Sequence, residues 1–225
     1  MYSLTENEEI NKEESKTEEF KAHAVLSYSQ MTARCIEGHK FQPASRTLCA
    51  FLNINKLCHL YLGIKDDGTV RGHPMFRAQK EHFQEAIDKL LRKTFVPPVD
   101  DYRYAVNFIK VKPADETAVY SDITSLTIKQ EHKLLELPNV CWCEKEISEH
   151  LKNTLKHPPR YVIHVQINEW DSTKDSKGFK VWPYFTSEEG KCFTRFSGSN
   201  HEFCPEQVFE QTMLDIEHCR SKKSL

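Results

Sequence analysis

The chain has 225 residues, 39% of them hydrophobic, enough apolar material for a core in one large domain or two small lobes, which excludes a wholly disordered chain. Lys plus Arg number 31 against 33 Asp plus Glu, a formal charge of −2. This near balance carries no global basic signal for nucleic acid, so any polyanion site must come from local clustering.

Eight cysteines accompany an acidic, polar N-terminal stretch with no apolar signal core. That combination is read as a soluble protein of a reducing compartment, the cytoplasm with the nucleus as the alternative. No apolar run approaches the roughly 20 residues of a membrane span, so no membrane partner is expected.

Residues 1–13 are acidic with few apolar anchors and read as a flexible tail, the folded part starting at Glu14. EEFKAHAVLS (18–27) puts Phe20, Ala22, Ala24 and Leu26 at even positions, the period of a half-buried strand. A helix opens at Pro43 and runs to about Asn53, with Leu48, Phe51 and Leu52 on one side. CHLYLGI (58–64) is a buried strand, and the turn Asp66-Asp67-Gly68 leads to a short return strand, Thr69 to Gly72. A helix over 77–93 carries Phe83, Ile87, Leu90 and Leu91 at helical spacing and ends before Pro97-Pro98.

YRYAVNFIKVK (102–112) alternates as a strand, with TAVYSD as its partner. The order then repeats: a helix over 144–155, Pro158-Pro159, the strand YVIHVQINEW, a VWPYF/CFTRF hairpin turning at Glu189-Gly190, a last helix over 205–219, and a tail over 220–225. The expected fold class is α+β, with mixed sheets flanked by helices in two pseudo-symmetric lobes, 14–125 and 140–219.

Glu14, Glu19 and the acidic turn Asp66-Asp67 form the pattern with chemical content. Clustered carboxylates repel, which is costly unless a cation binds them, and a hard divalent ion held by carboxylate oxygens activates water for phosphodiester hydrolysis. A spacing of five gives Glu14 and Glu19 opposite parity in a regular strand. They share a site only if a turn or bulge near Ser15 and Lys16 lies between them.

The segment Glu14-Ser15-Lys16-Thr17-Glu18-Glu19-Phe20-Lys21, followed by Cys49-Ala50-Phe51-Leu52-Asn53 and by Leu60 through Gly72 with its Gly63-Ile64-Lys65-Asp66-Asp67-Gly68 turn, resembles the Schlafen family, in a small form built on the AlbA-2 type domain. The resemblance implies a horseshoe of two α+β lobes around a positively charged valley. It also implies metal-dependent endoribonuclease activity on tRNA, rRNA or small-RNA precursors through a three-carboxylate centre. Carried to this chain, that centre is Glu14, Glu19 and Asp66, with Asp67 as the alternative third member and Mg²⁺ or Mn²⁺ as the ion. Lys21 stands where the family has a basic residue, for the scissile phosphate. Where relatives have a Gly-Gly pair, this chain has Asn55-Lys56-Leu57-Cys58, so an ATP-binding role does not transfer. Structural zinc is not expected: Cys141 and Cys143, with His150 or His157, are spaced too closely for the usual finger.

Basic residues concentrate between 71 and 112 and in the second half, including Lys191 and Arg195, so a balanced total conceals local positive charge. Arg71, Arg103 and Arg160 are the expected phosphate contacts beside Lys21. Tyr102, Tyr104, Tyr161, Trp182, Tyr184 and Phe196 are candidates for stacking a base. The rivals to an endoribonuclease are a non-catalytic RNA-binding or scaffolding subunit of a heteromeric RNA-processing complex and an AlbA-like regulator binding DNA.

Overall fold

Two alternating runs of β-formers, Tyr104–Lys112 and Arg160–Ile167, make the longest strands and pair antiparallel from Tyr104↔Ile167 to Val111↔Arg160. The computed structural model describes residues 4–22, 28–32, 43–75, 77–115 and 159–223. Its strands are β1 (Leu4–Thr5), β2 (Glu18–Lys21), β3 (Cys58–Leu62), β4 (His73–Pro74), β5 (Tyr104–Lys112), β6 (Arg160–Ile167), β7 (Cys192–Phe196) and β8 (Ser199–Phe203). The helices are α1 (Tyr28–Met31), α2 (Ala44–Ile54), α3 (Arg77–Lys89), which continues as a π-helical turn to Thr94, and α4 (Pro205–Lys223). The main sheet runs β1-β5-β6-β3-β2 with β4 also on β6, while β7 and β8 form a separate hairpin. The fold is α+β.

Alternation along the strands makes two apolar faces. Leu60, Leu62, Ile163 and Val165 pack against Leu48 and Phe51 of α2 and Phe83 and Ile87 of α3. On the other face Phe20, Val162 and Val111 meet Ile64 and Val70 of the turn region, with Leu4 and Ile10 against them. α2 is buried along almost its whole length, and its Asn53 joins it to the rest. The Asn53 side-chain amide donates to the carbonyls of Phe185 (2.9 Å) and Phe193 (2.8 Å), and its oxygen accepts from the Phe185 N–H (2.7 Å). The polar end of the A-F-x-N motif therefore satisfies backbone groups in the core.

Four expectations change. Residues 4–12 are not a tail: β1 pairs with β5, Asn7 N–H donates to Val70 O (2.8 Å), and Val70 N–H donates to Glu8 O (2.9 Å). Leu4 and Ile10 are the apolar anchors that hold this acidic segment. The return segment after Gly68 folds back on residues 63–65 as expected, with Lys65 N–H donating to Thr69 O (3.0 Å) and the N–H groups of Arg71 (2.9 Å) and Gly72 (2.8 Å) to Gly63 O, and it pairs with residues 7–9 as well. The turn at Glu189-Gly190 is present, with Gly190 N–H donating to Ser187 O (2.9 Å) and a Thr186↔Cys192 bridge, but CFTRF finds its strand partner forward, in Ser199–Phe203. The last helix continues to Lys223 in place of a tail from 220. Finally, β6 lies between β5 and β3, so a boundary between lobes of 14–125 and 140–219 would cut one sheet. TAVYSD, the helix over 144–155 and residues 23–27 of the first strand lie outside the described residues. Among the described residues no helix is long and apolar enough to cross a membrane.

The second sheet face carries a histidine pair. His59 Nδ1 lies 2.9 Å from His164 Nε2, and His164 stacks on Tyr61 at 4.7 Å between ring centres. Burial, then His59 and Lys12, push His164 down to about 4. Burial also lowers His59, with Lys12 acting in the same direction and Glu18 against it. A histidine lowered in the folded state stabilises fully above its unfolded value and loses that contribution as pH falls toward the folded value. Between about pH 6.5 and 4 the pair is expected to cost about 2 kcal/mol of stability after allowance for solvent screening. Urea unfolding at pH 7.5 and 4.5 checks this: His164→Phe, which keeps the stack, should lose less stability on acidification than wild type. Equal losses would contradict it.

Candidate active site

The required reversal between Glu14 and Glu19 is present. Ser15 Oγ accepts from the N–H groups of Thr17 and Glu18, both at 3.2 Å, and Ser15 N–H donates to Glu18 O (3.0 Å). This side-chain-stabilised turn folds Glu14 back beside the strand it precedes. β2 is the sheet's edge strand and uses its inner side to pair in parallel with β3. The outward-facing groups of Glu18 and Phe20 need other partners. Phe20 N–H donates to Glu14 Oε1 (3.0 Å), and Glu18 O accepts from Arg195 (3.2 Å).

Glu19 and Lys21 share a strand face, two residues apart, and both are buried, at 6% and 7% exposure. Lys21 Nζ lies 2.7 Å from Glu19 Oε1. Glu19 Oε2 takes the guanidinium of Arg195, a residue of 0% exposure that also donates to Ser15 O (2.8 Å) and Asn200 Oδ1 (3.0 Å) and lies over the Phe51 ring. Arg195 is the functional-site residue that sequence reasoning counted among surface cations. It ties β7 to the turn preceding β2.

At the third position, Asp67 Oδ1 accepts from Thr69 N–H (2.9 Å) and is committed to the turn. Asp66 is exposed and makes no hydrogen bond or ion pair with the described residues. The Glu14 carboxyl is raised above its ordinary value first by burial and further by the charges of Glu19 and Asp66, against the Phe20 N–H and Lys21. Glu14, Glu19 and Asp66 therefore share one electrostatic field. They do not form a ready-made cage: among the described residues no group of three or more His, Cys, Asp or Glu is placed to hold a metal ion. Two carboxylates are open, Glu14 through Oε2 and Asp66 through both oxygens, whereas both oxygens of Glu19 are engaged. Magnesium is commonly held by one or two carboxylates together with substrate phosphates, and the free oxygens of Glu14 and Asp66 are donors of that chemical type.

The expected RNA contacts divide. Arg103 is 1% exposed and donates to Asn168 O (3.0 Å) and Leu52 O (3.3 Å), so it is a buried strut and not a phosphate contact. Its short 3₁₀ turn, Asp101–Arg103, directs it inward. Lys21 is buried against Glu19, away from an open surface. Arg160 donates to the carbonyls of Arg71 and Gly72 and lies 3.5 Å from Glu6, while Arg71 is exposed and donates to Asn7. Of the six stacking candidates, Phe196 alone is exposed; Tyr104 is bonded to Asp88, Tyr184 to Asp215 and Tyr102 to Asp171, and Lys80 covers Tyr161.

Cys49, Cys58 and Cys192 are free and buried, and burial raises all three thiols, Cys58 to about 12 and Cys192 to about 11, which keeps them protonated. The Cys141, Cys143, His150 and His157 set lies outside the described residues.

A family model described as the Schlafen-like domain of nematodes matches residues 1–136. The match contains the turn at Ser15, Glu14, Glu19, Lys21, the Asn53 helix and the Asp66 turn, while β6 and Arg195, which complete the sheet and the carboxylate cluster, come from beyond it. The chain belongs to the Schlafen family.

Proposed function

We propose that this protein is a divalent-metal-dependent endoribonuclease acting on structured or small RNA, such as tRNA, rRNA or small-RNA precursors, at the cluster of Glu14, Glu19 and Asp66. The observation that carries this reading is the turn at Ser15, which folds Glu14 back onto the Phe20 N–H (3.0 Å) beside the strand that bears Glu19. Glu14 and Asp66 would hold Mg²⁺ or Mn²⁺, and Glu19 can join them only by releasing an ion pair. Bound there, the ion would neutralise charge on the reacting phosphate and acidify a water. Glu14, held by the Phe20 N–H at Oε1, would present Oε2 to that ion. Lys21 and Arg195 fix Glu19 and offset the charge of the cluster.

Purified protein with a small hairpin RNA and Mg²⁺ or Mn²⁺ is expected to cleave, and Glu14→Ala, Glu19→Ala and Asp66→Ala each to reduce cleavage by at least about 100-fold. Wild-type rates in all three variants would refute the reading. The second reading, a non-catalytic RNA-binding or scaffolding subunit, is favoured by the double engagement of Glu19. It predicts RNA binding without turnover, and cleavage only when partner subunits are added.

A further inference from the structure

The β7–β8 hairpin reaches the carboxylate cluster with both of its faces. Alternation turns Arg195 inward to Glu19 and leaves its neighbour Phe196 outside, 53% exposed. The hairpin turn, Ser197-Gly198, lies against Glu14: a Cβ on Gly198 would stand 3.8 Å from the Glu14 Cβ and 4.0 Å from an Arg195 guanidinium nitrogen. Phe196 is thus an uncovered aromatic ring beside the cluster, whereas the other candidate stacking rings are half-buried.

Its surroundings are suited to a nucleotide. Lys16, exposed and part of the turn between Glu14 and Glu19, places Nζ 5.9 Å from the Phe196 ring centre. His201 meets the ring edge-on at 5.4 Å and 71°, and Phe203 lies 6.4 Å away. An aromatic face with a mobile cation at its rim binds a base by stacking and the adjoining phosphate by charge. A protein partner would be expected to meet a wider apolar patch, but the turn and outer strand face around Phe196 contribute Ser197, Ser199 and His201, with Phe203 the one apolar ring among them.

We infer that the outer face of the β7–β8 hairpin seats an unpaired nucleobase of the substrate, with Phe196 stacking the base and Lys16 holding the neighbouring phosphate. This inference rests on the nuclease reading and adds to it a substrate class: RNA with a single-stranded nucleotide next to the cleaved bond. Bases within a duplex have both faces occupied and cannot take this seat.

The test measures binding without cleavage. In EDTA, at each of several salt concentrations, the full chain is titrated into a fluorescein-labelled single-stranded 12-mer RNA and into an RNA duplex of the same length. Phe196→Ala is expected to weaken single-strand binding by about tenfold, Phe196→Trp to preserve it, and neither to change duplex binding. Lys16→Ala is expected to lower the slope of log affinity against log salt on the single strand by about 0.7. Unchanged single-strand affinity in Phe196→Ala, with wild type binding, overturns the seat and leaves the nuclease reading standing. Wild type binding neither RNA overturns both. A change of oligomeric mass in Phe196→Ala with unaltered RNA affinity overturns the seat in favour of a protein contact.

Discussion

Arg195→Met is expected to destabilise the protein by about 3–5 kcal/mol, because it removes one partner of a buried charge pair and leaves the other in place. Methionine can fill the space over Phe51, so lost packing is the smaller part of the effect. The larger part is Glu19, which would remain buried with Lys21 as its one cation, together with the carbonyls of Ser15 and Glu18, which would lose their guanidinium donor. In a protein of this size that loss corresponds to a fall in Tm of roughly 10 °C. Arg195→Lys should fall between, since an ammonium can serve Glu19 but cannot also reach Ser15, Glu18 and Asn200 as a planar fork does. Glu19→Gln in the Arg195→Met background should recover little, because it leaves Lys21 buried without its carboxylate, and the coupling of the two changes is read from a double-mutant cycle by thermal or urea unfolding. A Tm for Arg195→Met within about 2 °C of wild type, less than the shift expected for 1 kcal/mol, would show that the ion pair is not the tie between β7 and the turn before β2.

The same residue marks the limit of what the sequence makes legible. Local features carry their meaning: the parity conflict between Glu14 and Glu19 demands a turn, and Ser15 supplies it through two backbone hydrogen bonds. The engagement of Asp67 in the turn is also legible, since an aspartate two residues before Thr69 is placed to accept from its N–H. Lys21 shares a face with Glu19 at a spacing of two, so their pairing follows from strand period alone. Arg195 is different, because its partner is 176 residues away and nothing local distinguishes it from the exposed cations of the second half. Arg103 misleads for the same reason: a basic residue between tyrosines reads as surface until the 3₁₀ turn directs it at the carbonyl of Asn168. The acidic composition of residues 4–12 outweighed Leu4 and Ile10, and only the pairing with β5 and Val70 shows that two apolar anchors suffice. The two-lobe division failed at β6, whose pattern is that of a buried strand but whose neighbours on both sides are fixed by tertiary pairing.

Glu14→Gln is expected to move activity and stability in opposite directions. Glutamine keeps the volume and the oxygen that accepts from Phe20 N–H, so the turn at Ser15 should be undisturbed. What it removes is a charge that burial, Glu19 and Asp66 all disfavour. Without that charge the side chain cannot serve as an anionic metal ligand, and cleavage should fall by at least about 100-fold. Relief of the like-charge repulsion is on the order of 0.5–1 kcal/mol for a partly exposed group, a rise in Tm of about 2 °C at this chain length. The pH dependence fixes the cause. A carboxyl raised in the folded state contributes stability that is fully present below its unfolded value and is lost as pH rises through the folded value. Wild type should therefore match Glu14→Gln in acid, where Glu14 is protonated in both states, and fall below it toward neutrality. Thermal unfolding of the two proteins across that range gives the comparison. A Tm difference that does not change with pH would mean that the charge of Glu14 is not the source of the strain, and wild-type cleavage by the glutamine variant would remove Glu14 from the chemistry.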